Sequence, residues 1–273
     1  MQIVLNIIIF IIILFFYIHI NYQLSTSNDL EIYDITDEEI TRERIDELCS
    51  LKQPIVFNYN IDRYTRELNR EELLINYGEF DVYINGVPMK LIDTDELFKK
   101  DISGQYITEG NRDFLEETTK KKSIQMEDLL LRPSLVSNSE YDIIMGSKNS
   151  ILECRYEINE RTFYIVNEGS VEVKLATPES KKYKEERENQ RLKDKEEGKI
   201  KYMKVELKKG EGISIPNRWI YEIQLKQEKT FIIKKEYTTI MNSISNLPIR
   251  IKEWLQEKNS KLDYNRKMNS KRD

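Results

Sequence analysis

Hydrophobic positions fall along this chain in three regimes. The first is a continuous apolar run from Ile3 to Ile20, broken only by Asn6 and His19. As a helix such a run reaches about 27 Å, close to the ~30 Å hydrocarbon thickness of a bilayer. Tyr17 and Tyr22 lie near one end, where interfacial rings are favoured, and no Lys or Arg precedes Arg42. A secretory signal would have a shorter apolar core, about 7–15 residues, behind a basic start, and Ser25-Thr26-Ser27 is a weak cleavage site. Residues 1–22 are therefore expected to be an uncleaved, single-pass membrane anchor, with 23–29 as a polar spacer. Neither flank carries the positive charge that would orient it.

The second regime mixes periods. Leu30–Ile35 alternates like a strand. Thr36-Asp37-Glu38-Glu39 predicts a capping box opening a helix through Leu51, with Ile40, Ile45, Leu48 and Cys49 on one face. Gln53–Tyr59 reads as a buried strand, Tyr64–Tyr77 as a helix stopped by Gly78, and Phe80–Ile84 with Val87–Ile92 as a hairpin around Asn85-Gly86. Thr94 is expected to cap a short helix carrying Leu97 and Phe98, and Asn111–Thr119 to form another.

The third regime is serial strands: Tyr141–Met145, Ile151–Glu157, Arg161–Val166, Val171–Ala176, Lys201–Leu207, Gly212–Ile215, Ile220–Leu225 and Thr230–Tyr237. Many short strands at this spacing predict a barrel or jelly-roll. Asn246–Lys258 is expected to be a closing helix, with Pro248 in its first turn and Trp254 on its apolar side. The domain is thus read as 30–258, mainly β with flanking helices, followed by a polar tail, 259–273.

Charge refines this picture. Residues 179–200 interrupt the strands with mixed-sign charge, a solvated helical insertion or, more sharply, a docking element for a protein partner. Net charge is −5 with a pI near 5.4, so no nucleic-acid footprint is present. Abundant Ile, Lys, Asn and Tyr, with Ala176 the single alanine, reflects AT-rich codon usage and carries no functional message.

Candidate chemistry is narrow. The one histidine, His19, sits in the apolar run, which removes Ser-His-Asp and Cys-His catalysis and the two-His-one-carboxylate iron site from the domain. Cys49 and Cys154 give no disulfide framework or metal cluster. Lys208-Lys209-Gly210-Glu211-Gly212 precedes a strand, so it is not a phosphate loop.

Three segments resemble the cupin-like, Jumonji C-type domains related to asparaginyl and lysyl hydroxylases. The first is Gly146–Glu157, where Arg155-Tyr156-Glu157 falls on the family's His-x-Asp. The second is Phe163–Leu175, a Gly turn leading into a strand that ends before Pro178. The third and most specific is Leu207–Tyr221, in which Ile215-Pro216 and Trp219-Ile220-Tyr221 follow Ile-Pro and Trp-Trp-His. Pro54–Phe57 resembles the entry strand. The Ile/Lys/Asn-rich style is also similar to that of membrane-anchored cupin-like proteins of large DNA viruses, which implies a host or virion membrane.

The resemblance implies a double-stranded β-helix and, in active members, Fe(II) and 2-oxoglutarate. The metal positions here carry Arg155, Glu157 and Tyr221. A guanidinium has no lone pair to offer, and a neutral phenol is a poor ligand. Ser170, Val171 and Glu172 stand where the family's 2-oxoglutarate lysine follows the Gly turn. The expectation is a catalytically degenerate, membrane-anchored binding or structural module without cofactor, Arg155, Glu157 and Tyr221 forming a polar cluster. A retained pocket would add Leu152, Asn159 and Trp219, with Arg155 holding a carboxylate or phosphate. The alternative is a divergent Fe(II)/2-oxoglutarate oxygenase of hydroxylase or demethylase type.

Overall fold

A computed structural model describes residues 2–35, 40–59, 68–126, 128–180, 201–252 and 254–255. Helix and strand are present in comparable amounts, so the fold is mixed rather than mainly β. Most of the expected charged insertion and all of the 259–273 tail lie outside the described residues. Contacts divide the chain into two units, Thr26–Thr238 and the pair of segments Met1–Ser25 and Thr239–Asp273.

The larger unit is built on two sheets. Strands β1 (Tyr33–Ile35), β2 (Ile55–Asn58), β5 (Val136–Met145), β7 (Arg161–Glu168), β10 (Glu211–Ile215) and β12 (Phe231–Thr239) form a six-stranded sheet in the order β1-β2-β10-β7-β12-β5. Strands β6 (Ile151–Tyr156), β8 (Ser170–Ala176), β9 (Tyr202–Lys208) and β11 (Ile220–Leu225) form a second sheet, β6-β11-β8-β9. All eight strands expected after Tyr141 are present, each within a few residues of its expected bounds. β1 and β2 run parallel, whereas every pair in the four-stranded sheet is antiparallel.

Alternation along β7 explains how the layers stack. Tyr164 and Val166 join Val173, Leu175, Ile213, Tyr221, Ile223 and Ile232 in a core drawn from both sheets. Phe163 and Ile165 point the other way, into a cluster with Ile35, Ile45, Leu48, Phe57 and Tyr237. A third cluster packs Leu73, Phe98, Phe114 and Ile124 on Ile143, Phe231 and Ile233. Both faces of the six-stranded sheet are covered, which is why β7 and β12 are buried almost without interruption.

Helices cover that outer face. Helix α2 (Arg42–Ser50) starts at Thr41, whose side chain accepts from the Arg44 amide, and buries Ile45 and Leu48. The expected cap at Thr36–Glu39 lies outside the described residues. Helix α3 (Arg70–Tyr77) starts after Asn69, which is extended (ψ 158°) and caps the Glu72 amide, while the expected first turn, 64–67, lies outside the described residues. Helix α4 (Leu91–Lys100) begins before Thr94, whose hydroxyl donates back to the Lys90 carbonyl instead of capping. Helices α5 (Arg112–Glu117) and α6 (Lys120–Met126) complete the layer. The hairpin β3 (Asp81–Ile84) and β4 (Val87–Lys90) turns on Asn85 and Gly86, both at positive φ (48° and 82°), as a two-residue primed turn requires.

The second unit contains α1 (Gln2–Leu24) and α7 (Ile240–Ser245), which pack on one another. Helix α1 is long and apolar enough to cross a membrane, and its apolar window is unburied. A further helical stretch, 247–252 with 254–255, follows α7. Residues after Thr238 thus group with α1 rather than with the sheets.

Candidate functional site: a buried ion cluster beside a polar cavity

Strands β6 and β11 pair with a shift in register: Tyr221 opposes Arg155, and Ile223 opposes Leu152. The extra residue on β6 is a bulge, which lets Leu152 and Arg155, three apart, share a side of the sheet that simple alternation would deny them. Glu157 follows the end of β6.

Tyr221, Glu157 and two residues of neighbouring strands make a continuous network. The Tyr164 hydroxyl lies 2.6 Å from that of Tyr221, which donates to Glu157 Oε1 at 2.5 Å. Tyr164 therefore donates to Tyr221. Lys234 Nζ donates to the same Glu157 oxygen at 3.0 Å and lies 3.0 Å from Glu236 Oε1. Asn159 Nδ2 donates to Glu236 Oε1 at 2.7 Å, and the Thr238 hydroxyl donates to Asn159. The ammonium of Lys234 also stands 5.7 Å over the Tyr164 ring.

Burial sets the charges. It pushes Tyr164 and Tyr221 above the ordinary phenol range, and the negative charge of Glu157 adds to this, so both stay neutral donors. Burial opposes the charge on Lys234, but Tyr164, Glu157 and Glu236 more than offset it and hold the ammonium protonated. Glu236 is raised by burial, with Lys234 pulling it down and Glu157 pushing it up.

Arg155 points elsewhere. Its guanidinium pairs with Glu109, and its Nε donates to the Glu153 carbonyl at 3.2 Å. The expected partnership of Arg155 with Glu157 is taken by Lys234, because the longer reach of Arg155 carries its charge to the rim of a cavity of about 930 Å³. That cavity is lined by Arg155, Glu109, Arg112, Asp142, Lys234 and Glu236 among others, and Leu152 also faces it. Asp142 is buried and accepts from the amides of Gly110 and Asn111, fixing one wall. Burial raises its pKa despite those bonds.

Two expected pocket residues sit differently. Asn159 supports Glu236 from behind. Trp219 is fully buried between the sheets, donates its indole N–H to the Lys52 carbonyl, and is not part of the cavity wall. Lys234, Glu236, Tyr164 and Glu109 were not legible as site residues. The available signal was Lys234-Lys235-Glu236 directly after Phe231-Ile232-Ile233 in a strand, since charge there demands buried partners.

A second buried cluster lies on the opposite face of β12. Lys235 Nζ is 3.7 Å from Asp128 Oδ1, Tyr141 donates to Asp128 at 2.5 Å, and Tyr237 donates to its other oxygen. Among the described residues, no group of three or more His, Cys, Asp or Glu side chains is gathered to hold a metal. No family model matches the sequence, and no curated protein matches it significantly.

Proposed function

We propose that this protein is a membrane-tethered, catalytically degenerate cupin-like domain that serves as a binding or structural module. One observation carries the reading: Glu157 accepts from Tyr221 and Lys234 through one oxygen, with Tyr164 behind them, at the place where the Jumonji C-like resemblance would put iron. An ammonium between two carboxylates supplies one positive charge where a dication would bring two. The donor set does not fit iron: Glu157 Oε1 is engaged by two donors, Tyr221 is a neutral donor, and Arg155 has no lone pair. The order of strands supports a jelly-roll. Counting from β5, the strands alternate between the sheets except at β8 and β9, which pair within one. The long apolar α1 supports the tether.

The test is metal content and turnover of the purified full chain in detergent. No stoichiometric iron and no succinate from 2-oxoglutarate with added Fe(II) are expected. Tightly held iron, or turnover abolished by Glu157→Ala, would replace this reading with that of a divergent oxygenase.

The cavity favours a second reading, a pocket for a small carboxylate held by Arg155, whose guanidinium keeps donors beyond those given to Glu109 and Glu153. A rise in Tm with 2-oxoglutarate, without metal, that Arg155→Gln abolishes would favour it.

A further inference from the structure

The chain after Thr239 is amphipathic the wrong way round for a water-soluble unit. Ile240, Ile244, Leu247, Ile251, Trp254 and Leu255 follow one another at helical spacing and are all 40–60% exposed. On a 3.6-residue period they fall within roughly 100° of arc. The fully buried positions are polar: Asn242 and Asn246 are 0% exposed and Ser245 7%, with Met241 and Ile249 half-buried beside them. In water this arrangement would leave a continuous apolar stripe uncovered while sequestering amides.

The inward amides have partners. Asn242 Nδ2 donates to Gln23 Oε1 at 3.3 Å, Gln23 being the buried residue of α1. Asn246 Nδ2 donates to the Asn242 carbonyl at 3.1 Å. Helix α1 likewise turns its apolar side chains outward, and Gln23 is its buried residue. Polar contacts between helices with apolar exteriors are the arrangement that a hydrocarbon surrounding favours.

We infer that the helical stretches 240–245, 247–252 and 254–255 form a second membrane contact, lying in the bilayer surface beside the end of α1 with their Ile/Leu/Trp stripe in the lipid. At 1.5 Å per residue this stretch reaches about 24 Å, and Arg250 and Lys252 keep it from crossing. Trp254 has the ring type that settles at that depth. The inference rests on α1 being membrane-embedded.

The test uses the full chain in phosphatidylcholine vesicles whose acyl chains carry a nitroxide at a shallow or a deep position. Trp254 emission is obtained by subtracting that of the Trp254→Phe variant, which retains Trp219. At an interfacial depth of roughly 5–10 Å, the shallow probe is expected to cut Trp254 emission at least about two-fold, and more than the deep probe does. Stronger quenching by the deep probe overturns the interfacial placement. No lipid quenching overturns the inference: free quenching by aqueous acrylamide would then mean a stripe in water, and protection from it a cover by protein, such as a second copy. A fluorophore on Ile12→Cys, in a Cys49→Ser/Cys154→Ser background, reads α1 in the same vesicles. Quenching at Ile12 without quenching at Trp254 sinks the second contact alone, and quenching at neither sinks the anchor with it.

Discussion

Lys234 and Lys235 are neighbours on β12 and face opposite ways, so one strand carries two buried ammonium groups in two settings. Each has a carboxylate and tyrosine hydroxyls near it: Glu157 with Tyr221 and Tyr164 on the inner side, Asp128 with Tyr141 and Tyr237 on the outer. The inner cluster has a second carboxylate, Glu236, and opens onto the cavity. In the outer cluster, the Lys235 and Asp128 side chains are 0% and 3% exposed and form a buried ion pair. The difference teaches that shared side-chain chemistry is not shared function: what separates a structural tie from a candidate site is redundancy and access.

The comparison can be broken most forcefully at Asp128. Asp128→Ala removes the carboxylate beside the buried Lys235 ammonium and the acceptor of two phenols. Its cost is expected to be about 3–5 kcal/mol in urea unfolding of the full chain in detergent. A loss below about 1 kcal/mol would show the outer cluster to be as tolerant as a surface pair. Glu157→Gln should cost less, about 1–2 kcal/mol, because the amide oxygen still accepts from Tyr221 and Lys234 keeps Glu236. Equal losses in the two variants would erase the distinction.

A pH profile sharpens it further. Glu236 has its pKa raised by burial above the ordinary 4.5, so the folded protein keeps a proton that the unfolded chain has lost. The stability this gives is present below pH 4.5 and falls as pH rises through the raised value. Glu236→Gln should flatten the Tm-against-pH curve in that window while leaving the similar contribution of Asp142. An unchanged slope would mean that Glu236 is ionised when folded. The smallest effect is expected at Arg155→Gln: the Arg155–Glu109 pair is about a third exposed, so its stability loss should stay under about 1 kcal/mol. A larger loss would make Arg155 part of the buried network.

Much of the fold was legible because hydrophobic period is local. Strands β5–β12 and the Asn85-Gly86 hairpin follow from alternation and turn chemistry, and α1 from an unbroken apolar run. Helix starts were less legible: Thr94 has the composition of a cap, but Lys90 holds that position and the Thr94 hydroxyl bonds back to its carbonyl. At the site, Glu157 and Tyr221 were brought together only by the family resemblance, and Lys234, 77 residues from Glu157, falls in none of the segments that carry it.

What the chain determined by itself is every feature written within a few residues: the apolar helix, the strand series and the turns, together with a domain sequence without histidine. What only the tertiary structure decided is which charges meet. The bulge on β6 sends Arg155 to Glu109 and frees Glu157 for Lys234, and the segment after Thr238 joins α1 instead of the sheets. Those outcomes depend on distances across strands far apart in sequence, where the cost of leaving a buried charge unpaired selects the partner.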